Sequence, residues 1–213
     1  MKKNPILFVL LLGLVALFEA CDEETNTLSS WREDLADLYT LSDGRVDRLV
    51  LDDGTVFPLS NTVILSEADT VRRAFVAFLV ADNGTAQLGG RQNVLTADPI
   101  VPHNVTLRQD PLSLVSAWRG GAYINLRLNL LTGPSEKNHY FGFFVEEVAE
   151  NPNGGRLLKL NLYHDQNGDD AYYTRAMYLC CSLRKYEELL TSGDSIRLNI
   201  ETYKGPVSYT FPF

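Results

Sequence analysis

The chain has 213 residues, 45% of them hydrophobic and 22% charged, with 27 acidic residues against 19 basic ones and a formal net charge of −8. That balance disfavours nucleic acid as a partner, because a phosphate backbone selects basic surfaces. Three cysteines cannot supply a disulfide framework, so the fold must rest on apolar burial, which a chain of this length can provide as one large domain or two small ones.

At the N-terminus, Lys2 and Lys3 precede an apolar run from Pro5 to Phe18, followed by Ala20-Cys21. A cationic start, an apolar stretch of about 7–15 residues and a small residue at the cut describe a signal peptide. A spanning helix needs about 20 apolar residues, and this run stops short. Ala20 before Cys21 resembles a lipobox, in which the thiol receives a diacylglycerol and the preceding peptide is removed; Phe18 stands where leucine is usual, and Glu19 is unusual at its position. The pattern predicts a signal peptide over 1–20 and a lipidated Cys21, an attachment that becomes durable with two or more acyl chains. The alternative is an ordinary secretory signal with a chance cysteine. Without Lys2, Lys3 and Glu19 the remainder carries 17 basic and 26 acidic residues, a net charge of −9. Asp22-Glu23-Glu24 either opens a solvated linker or acts as an acidic export signal, like that of surface-displayed Bacteroidetes lipoproteins.

Residues 21–33 read as an acidic and polar tether. Strand patterns follow at Leu38–Leu41, Val46–Leu51, Thr55–Leu59, Arg72–Val80 and Gln92–Leu95, with turns at Asp52-Asp53-Gly54, Asp82-Asn83-Gly84 and Gly89-Gly90. Short strands joined by glycine turns predict a small barrel or sandwich over 34–108. Pro99, Pro102 and Pro111 remove ladder donors and suggest a domain boundary. From 109 to 213 come seven strand patterns: Leu112–Trp118, Ala122–Leu131, Tyr140–Val148, Leu157–Tyr163, Tyr172–Leu183, Ser195–Thr202 and Val207–Phe213. Ile124, Leu126, Leu128 and Leu130 alternate with polar residues and belong on one buried face. Arg184–Leu190 reads as the one helical piece, a crossover. The fold class is therefore all-β, with the small barrel or sandwich followed by an antiparallel β-sandwich.

Taken in order, Leu51-Asp52-Asp53-Gly54-Thr55 with Pro58, Ser116–Leu126 (SAWRGGAYINL), Tyr163–Asp169 (YHDQNGD) and Thr202–Phe211 (TYKGPVSYTF) resemble the NigD-like lipoproteins of Bacteroidetes over nearly the whole chain. The resemblance implies an N-terminal OB-like domain and a C-terminal β-sandwich. It implies little about activity; the family name comes from a bacteriocin cluster in which a member was suggested to be an immunity protein.

Candidate chemistry is sparse. Asp165-Gln166-Asn167-Gly168-Asp169-Asp170 begins like a calcium loop, but Asp170 replaces the glycine of the sixth position and Ala176 the carboxylate of the twelfth; it reads as a hairpin turn between strands at Leu157–His164 and Tyr172–Leu183. On such a hairpin Cys180 and Cys181 lie far from His164, so they read as small buried hydrophobes and not as a nucleophile with its base. His103, His139 and His164 lack metal-site spacing and read as structural or solvent-facing. Glu146-Glu147 point to opposite sides of a strand, which suits an acid–base pair poorly. Of Tyr172 and Tyr173, one is expected to be exposed, a possible ring platform for a sugar or a peptide. Asp69-Thr70-Val71 and Asp194-Ser195-Ile196 resemble the Bacteroidetes O-glycosylation acceptor.

The expectation is a non-catalytic outer-membrane lipoprotein, held by Cys21, that binds an unknown protein or glycan, with no cofactor, metal or catalytic site. Bacteriocin immunity and glycan binding as an import accessory are the alternatives.

Overall fold

The computed structural model describes residues 31–213 apart from 104–106, 135–136 and 152–153. The signal peptide over 1–20, Cys21 and the tether as far as residue 30 lie outside the described residues. From Arg32 to Phe213 the chain forms one compact unit.

Its first part is a five-stranded sheet of β1 (Trp31–Thr40), β2 (Val46–Leu51), β3 (Val56–Pro58), β4 (Val71–Val80) and β5 (Ala86–Asn93), in the order β3-β2-β1-β4-β5. The tether expected to run to residue 33 is already strand by Trp31. Gly54 (φ +84°) and Gly84 (φ +78°) supply the left-handed backbone that the tight turns require. The sheet is not closed into a barrel among the described residues. Its edges meet at a single parallel bridge, Leu59 to Ala86, which carries the bond from the Ser60 N–H to the Ala86 carbonyl.

Two strands of this sheet are buried on both faces. In β1, Ala36 and Leu38 point into a core with Val46, Leu49, Leu51 and Phe78, while Leu35 joins a separate cluster with Tyr123 and Cys180. In β4, Ala74, Val76 and Phe78 enter the first core, and Phe75 packs on the second cluster. The period of two sends alternate residues to opposite sides, so Asp37 and Arg73, on the same strands, face away from the first core.

The second part is a sandwich. One sheet runs β6 (Leu95–Ala97), β12 (Tyr173–Ser182), β9 (Tyr123–Thr132), β8 (Ser113–Gly120). The other runs β14 (Val207–Pro212), β13 (Ser195–Ile200), β11 (Arg156–Asp165), β10 (Tyr140–Glu150), β7 (Pro99–Ile100). The core between them holds Ile124, Leu126, Leu128 and Leu130 from β9, as their alternation requires, against Phe143, Leu158, Leu160, Ile196 and Leu198.

The sandwich departs from the sequence reading in several ways. Leu95–Ile100, on the N-terminal side of the 108/109 divide, pairs with sandwich strands β12 and β10. The β6–β12, β7–β10 and β11–β13 pairings are parallel, so the sandwich is not wholly antiparallel. β11 and β12 are not a hairpin but lie in different sheets, which leaves β13 to pair with β11 in parallel. After Asp165 the chain crosses: Asn167 (φ +55°) and Gly168 turn it, the Asp169 carboxylate accepts the Gly133 N–H at 3.0 Å, and the Tyr172 N–H is tied to the Thr132 carbonyl. A β-carbon on Gly133 would lie 2.6 Å from that of Asp170, so glycine is needed for this approach. β13 then re-enters the first-crossed sheet parallel to β11, as a strand returning by a crossover does. The helix expected over Arg184–Leu190 is a single 3-10 turn, Arg184–Tyr186.

Candidate functional site

The most distinctive chemistry lies where the first sheet meets the sandwich. Arg73, with a side chain only 2% exposed, reaches 2.6 Å to Asp52 just after β2 and 3.5 Å to Asp37 on β1. It also donates to the Asn125 side-chain oxygen on β9 at 3.1 Å, and its guanidinium carbon sits 4.3 Å from the Tyr123 ring centre. Asn125 in turn donates to the second Asp52 oxygen at 2.9 Å, and the Cys180 thiol donates to the Asn125 oxygen at 3.1 Å. From the 3-10 turn, Arg184 binds Asp37 at 2.6 Å. Two guanidinium groups and two carboxylates make the cluster neutral, which is what allows Arg73 and Asp37 within it to be buried. Burial alone would lower the Arg73 pKa, but Asp52 and Asp37 outweigh it, so the net shift is upward and the charge is kept. Burial, then Asp37, pushes the Tyr123 phenol up to about 12.

Backbone shape makes room for this cluster. A β-carbon on Gly120 would lie 2.3 Å from Asp52 Oδ2, and Gly121 (φ +50°) abuts the same side chain. The Leu51–Thr55 and Ser116–Leu126 segments, separated by about 60 residues of sequence, are thus two halves of one contact: Asp52 from the first is seated on Gly120, Gly121 and Asn125 from the second.

The residues singled out in the sequence fall as follows. Cys180 and Cys181 are buried, unbridged thiols. Burial pushes Cys180 up to about 11 and raises Cys181 well above the ordinary thiol value, so neither supplies a thiolate nucleophile near neutral pH. The oxygens of Asp165–Asp170 do not converge on a cation. Asp165 accepts the Asn167 N–H, and Asp169 accepts the N–H groups of Gly133 and Asp170. Among the described residues no group of His, Cys, Asp and Glu is arranged for a metal. His103 is exposed. Glu147 pairs with Lys159 and Glu146 with Asn161 and Asn199. Tyr172 and Tyr173 are both exposed, since Tyr172 precedes the strand. Asp194 is buried and accepts the N–H groups of Arg156 and Thr191, a role in joining strand ends.

One association escaped the sequence reading. His139 Nδ1 lies 2.9 Å from His164 Nε2, His164 Nδ1 lies 2.8 Å from the Asp110 carbonyl, and His139 Nε2 lies 3.4 Å from Asp169. A carbonyl only accepts, so neutral His164 carries its proton on Nδ1 and takes one from His139 at Nε2. The β10–β11 register sets Phe141 opposite His164 and so brings His139 alongside.

Two stability measurements follow. Arg73→Ala leaves Asp52 without its cation and Asp37 with Arg184 alone, and is expected to cost about 3–5 kcal/mol in urea unfolding. Arg72→Ala, at the exposed neighbouring position, should cost less than about 1 kcal/mol; equal losses would refute the junction's role. Burial pushes the His164 pKa below its ordinary value. The unfolded chain therefore takes up a proton near pH 6.5 that the folded one resists, and stability falls as pH drops through that range. The urea midpoint should decline between about pH 7.5 and 5.5, and His164→Gln should flatten that decline; an unchanged slope would contradict it.

Among curated proteins, none matches the chain significantly. Solved structures do. A NigD-like immunity protein from Bacteroides caccae is 28% identical, with a TM-score of 0.70 over 85% of this chain and 96% of that one. A toxin-related protein from Parabacteroides distasonis is 20% identical, with a TM-score of 0.68 over 86% and 93% of the two chains. A candidate lipoprotein from Bacteroides fragilis is 12% identical, with a TM-score of 0.58 over 85% and 96%. Residues 95–213, more than half of the chain, match the NigD-like C-terminal β-sandwich domain. The span begins at β6, where the chain enters the sandwich, and with this match the chain belongs to the NigD-like family.

Proposed function

We propose that the chain is a non-catalytic lipoprotein of the outer membrane, tethered through Cys21, whose folded part binds a partner. The observation that carries this reading is the junction. Its reactive-looking groups are tied to one another in a buried, neutral network, while open cavities beside it are lined by arginine, asparagine and tyrosine side chains suited to holding a ligand. The two thiols are held protonated by burial, which supports a binding role over covalent chemistry. The single Leu59–Ala86 bridge supports reading the first sheet as an OB-like module with its ends drawn together. No helix among the described residues is long and apolar enough to cross a membrane.

A second reading, immunity toward a bacteriocin, is favoured by the name of the Bacteroides caccae relative. Deleting the gene in a bacteriocin-producing strain separates the two: self-killing supports immunity, and unchanged sensitivity supports the broader binding role. For the anchor, cells fed labelled palmitate should label the wild-type protein and not Cys21→Ser. Label in both would defeat the lipid attachment.

A further inference from the structure

The chain is acidic overall, yet one part of its surface has the opposite sign. Two adjoining cavities, of about 460 and 260 Å³, share the link Asn93–Leu95 between β5 and β6. Together their walls carry Arg72, Arg73, Arg91, Lys137 and Arg175 against a single carboxylate, Glu67. Arg73 is committed to the buried network and Arg72 pairs with Glu67. Arg91 donates to the Asn93 side chain at 2.9 Å and Lys137 to the Gly168 carbonyl at 2.6 Å. Arg91, Lys137 and Arg175 form no ion pair among the described residues. Three cations without an ion pair among the described residues therefore line the two adjoining cavities, taken together as one groove, of a protein whose net charge is −8.

Two further features narrow the occupant. β5 is an edge strand of the first sheet, occupied by residues 59–61 at Ala86 and Leu88 but not at its Gln92 and Asn93 end by the groove. β6 is an edge strand of the sandwich, so strand edges border the groove, as strand addition by a peptide requires. The walls are also partly apolar, with Leu95 45% exposed and Val71 37% exposed. A sugar would need a ring face to stack on, and the aromatic rings here are used internally. Tyr178 stacks on Phe75 at 5.1 Å and meets Trp118 edge-on, while Phe141 stacks on His164 at 4.7 Å.

We propose that this groove binds an extended acidic peptide segment of a partner protein, with its backbone along the bordering strand edges and its carboxylates on Arg91, Lys137 and Arg175. The proposal rests on the reading of the chain as a binding protein and names the chemistry of its partner.

The test uses the mature chain carrying Cys21→Ser, panned against displayed random peptides of about 12 residues, long enough at ~3.3 Å per residue to lie across both cavities. Selected peptides should be enriched in Asp and Glu interspersed with apolar residues, and added salt should weaken their binding. Binding should fall about tenfold or more in the double variant Arg91→Glu/Arg175→Glu, whose side chains are exposed and outside the buried network, with its circular dichroism unchanged. Peptides without acidic bias, no selected binders, equal binding by the double variant, or displacement of the peptides by nothing but an oligogalacturonate probe would each overturn the proposal. Photo-cross-linking in intact envelopes separates the two levels. A partner captured equally by the wild type and the double variant overturns the groove and leaves the binding role standing, whereas a partner lost from the double variant supports both.

Discussion

A single buried guanidinium organises this molecule. Arg73 leaves the first sheet on the side opposite its own core and ends among Asp52, Asp37 and Asn125, so its charge is neutralised within its own sheet while its hydrogen bond to Asn125 reaches the sandwich. Burying ions is costly, and such a cluster adds less to net stability than an apolar contact of the same size would. What it does supply is a defined orientation. Hydrophobic contact between Leu35, Phe75, Trp118 and Tyr178 could be satisfied by many relative placements of two β surfaces, whereas the directional bonds of Arg73 to Asp52, Asp37 and Asn125 admit one.

That orientation also sets where a ligand can be held. The cavities flank the link from β5 to β6, the point at which the chain leaves the first sheet and enters the sandwich. Their walls draw residues from both parts, so their shape depends on the junction staying in register. Arg73 and Tyr123 belong at once to the network and to the larger cavity. In the proposed binding role, a floor built from the buried network with exposed cationic rims leaves little ordering to be done when a partner arrives.

Much of the fold was legible in the sequence because β periodicity is a local signal. The alternation of Ile124, Leu126, Leu128 and Leu130 was enough to assign one buried face of β9. The other face was not legible: Asn125 looks like a solvent residue on that pattern, and it is fully buried because the first sheet covers it. The crossing after Asp165 misled for a similar reason. Asn167-Gly168 makes a tight turn in a hairpin and in a crossover alike, and the difference lies in Gly133 and Asp169, more than thirty residues apart. The pairing of His139 with His164 was accessible in principle by counting back from the Asn151–Gly155 turn, given the one-residue shift near Val145. The glycines at 120 and 121 carried family resemblance in the sequence, but their purpose needed Asp52 to be seen against them.

The central claim is that the junction makes the first sheet and the sandwich a single cooperative unit, and native-state hydrogen exchange tests it most directly. Amides of β1 and β4 and amides of β9 and β12 should exchange through the same global opening, with equal free energies and equal dependence on denaturant. Exchange of the first sheet through a separate, lower-energy opening while the sandwich stays protected would contradict it.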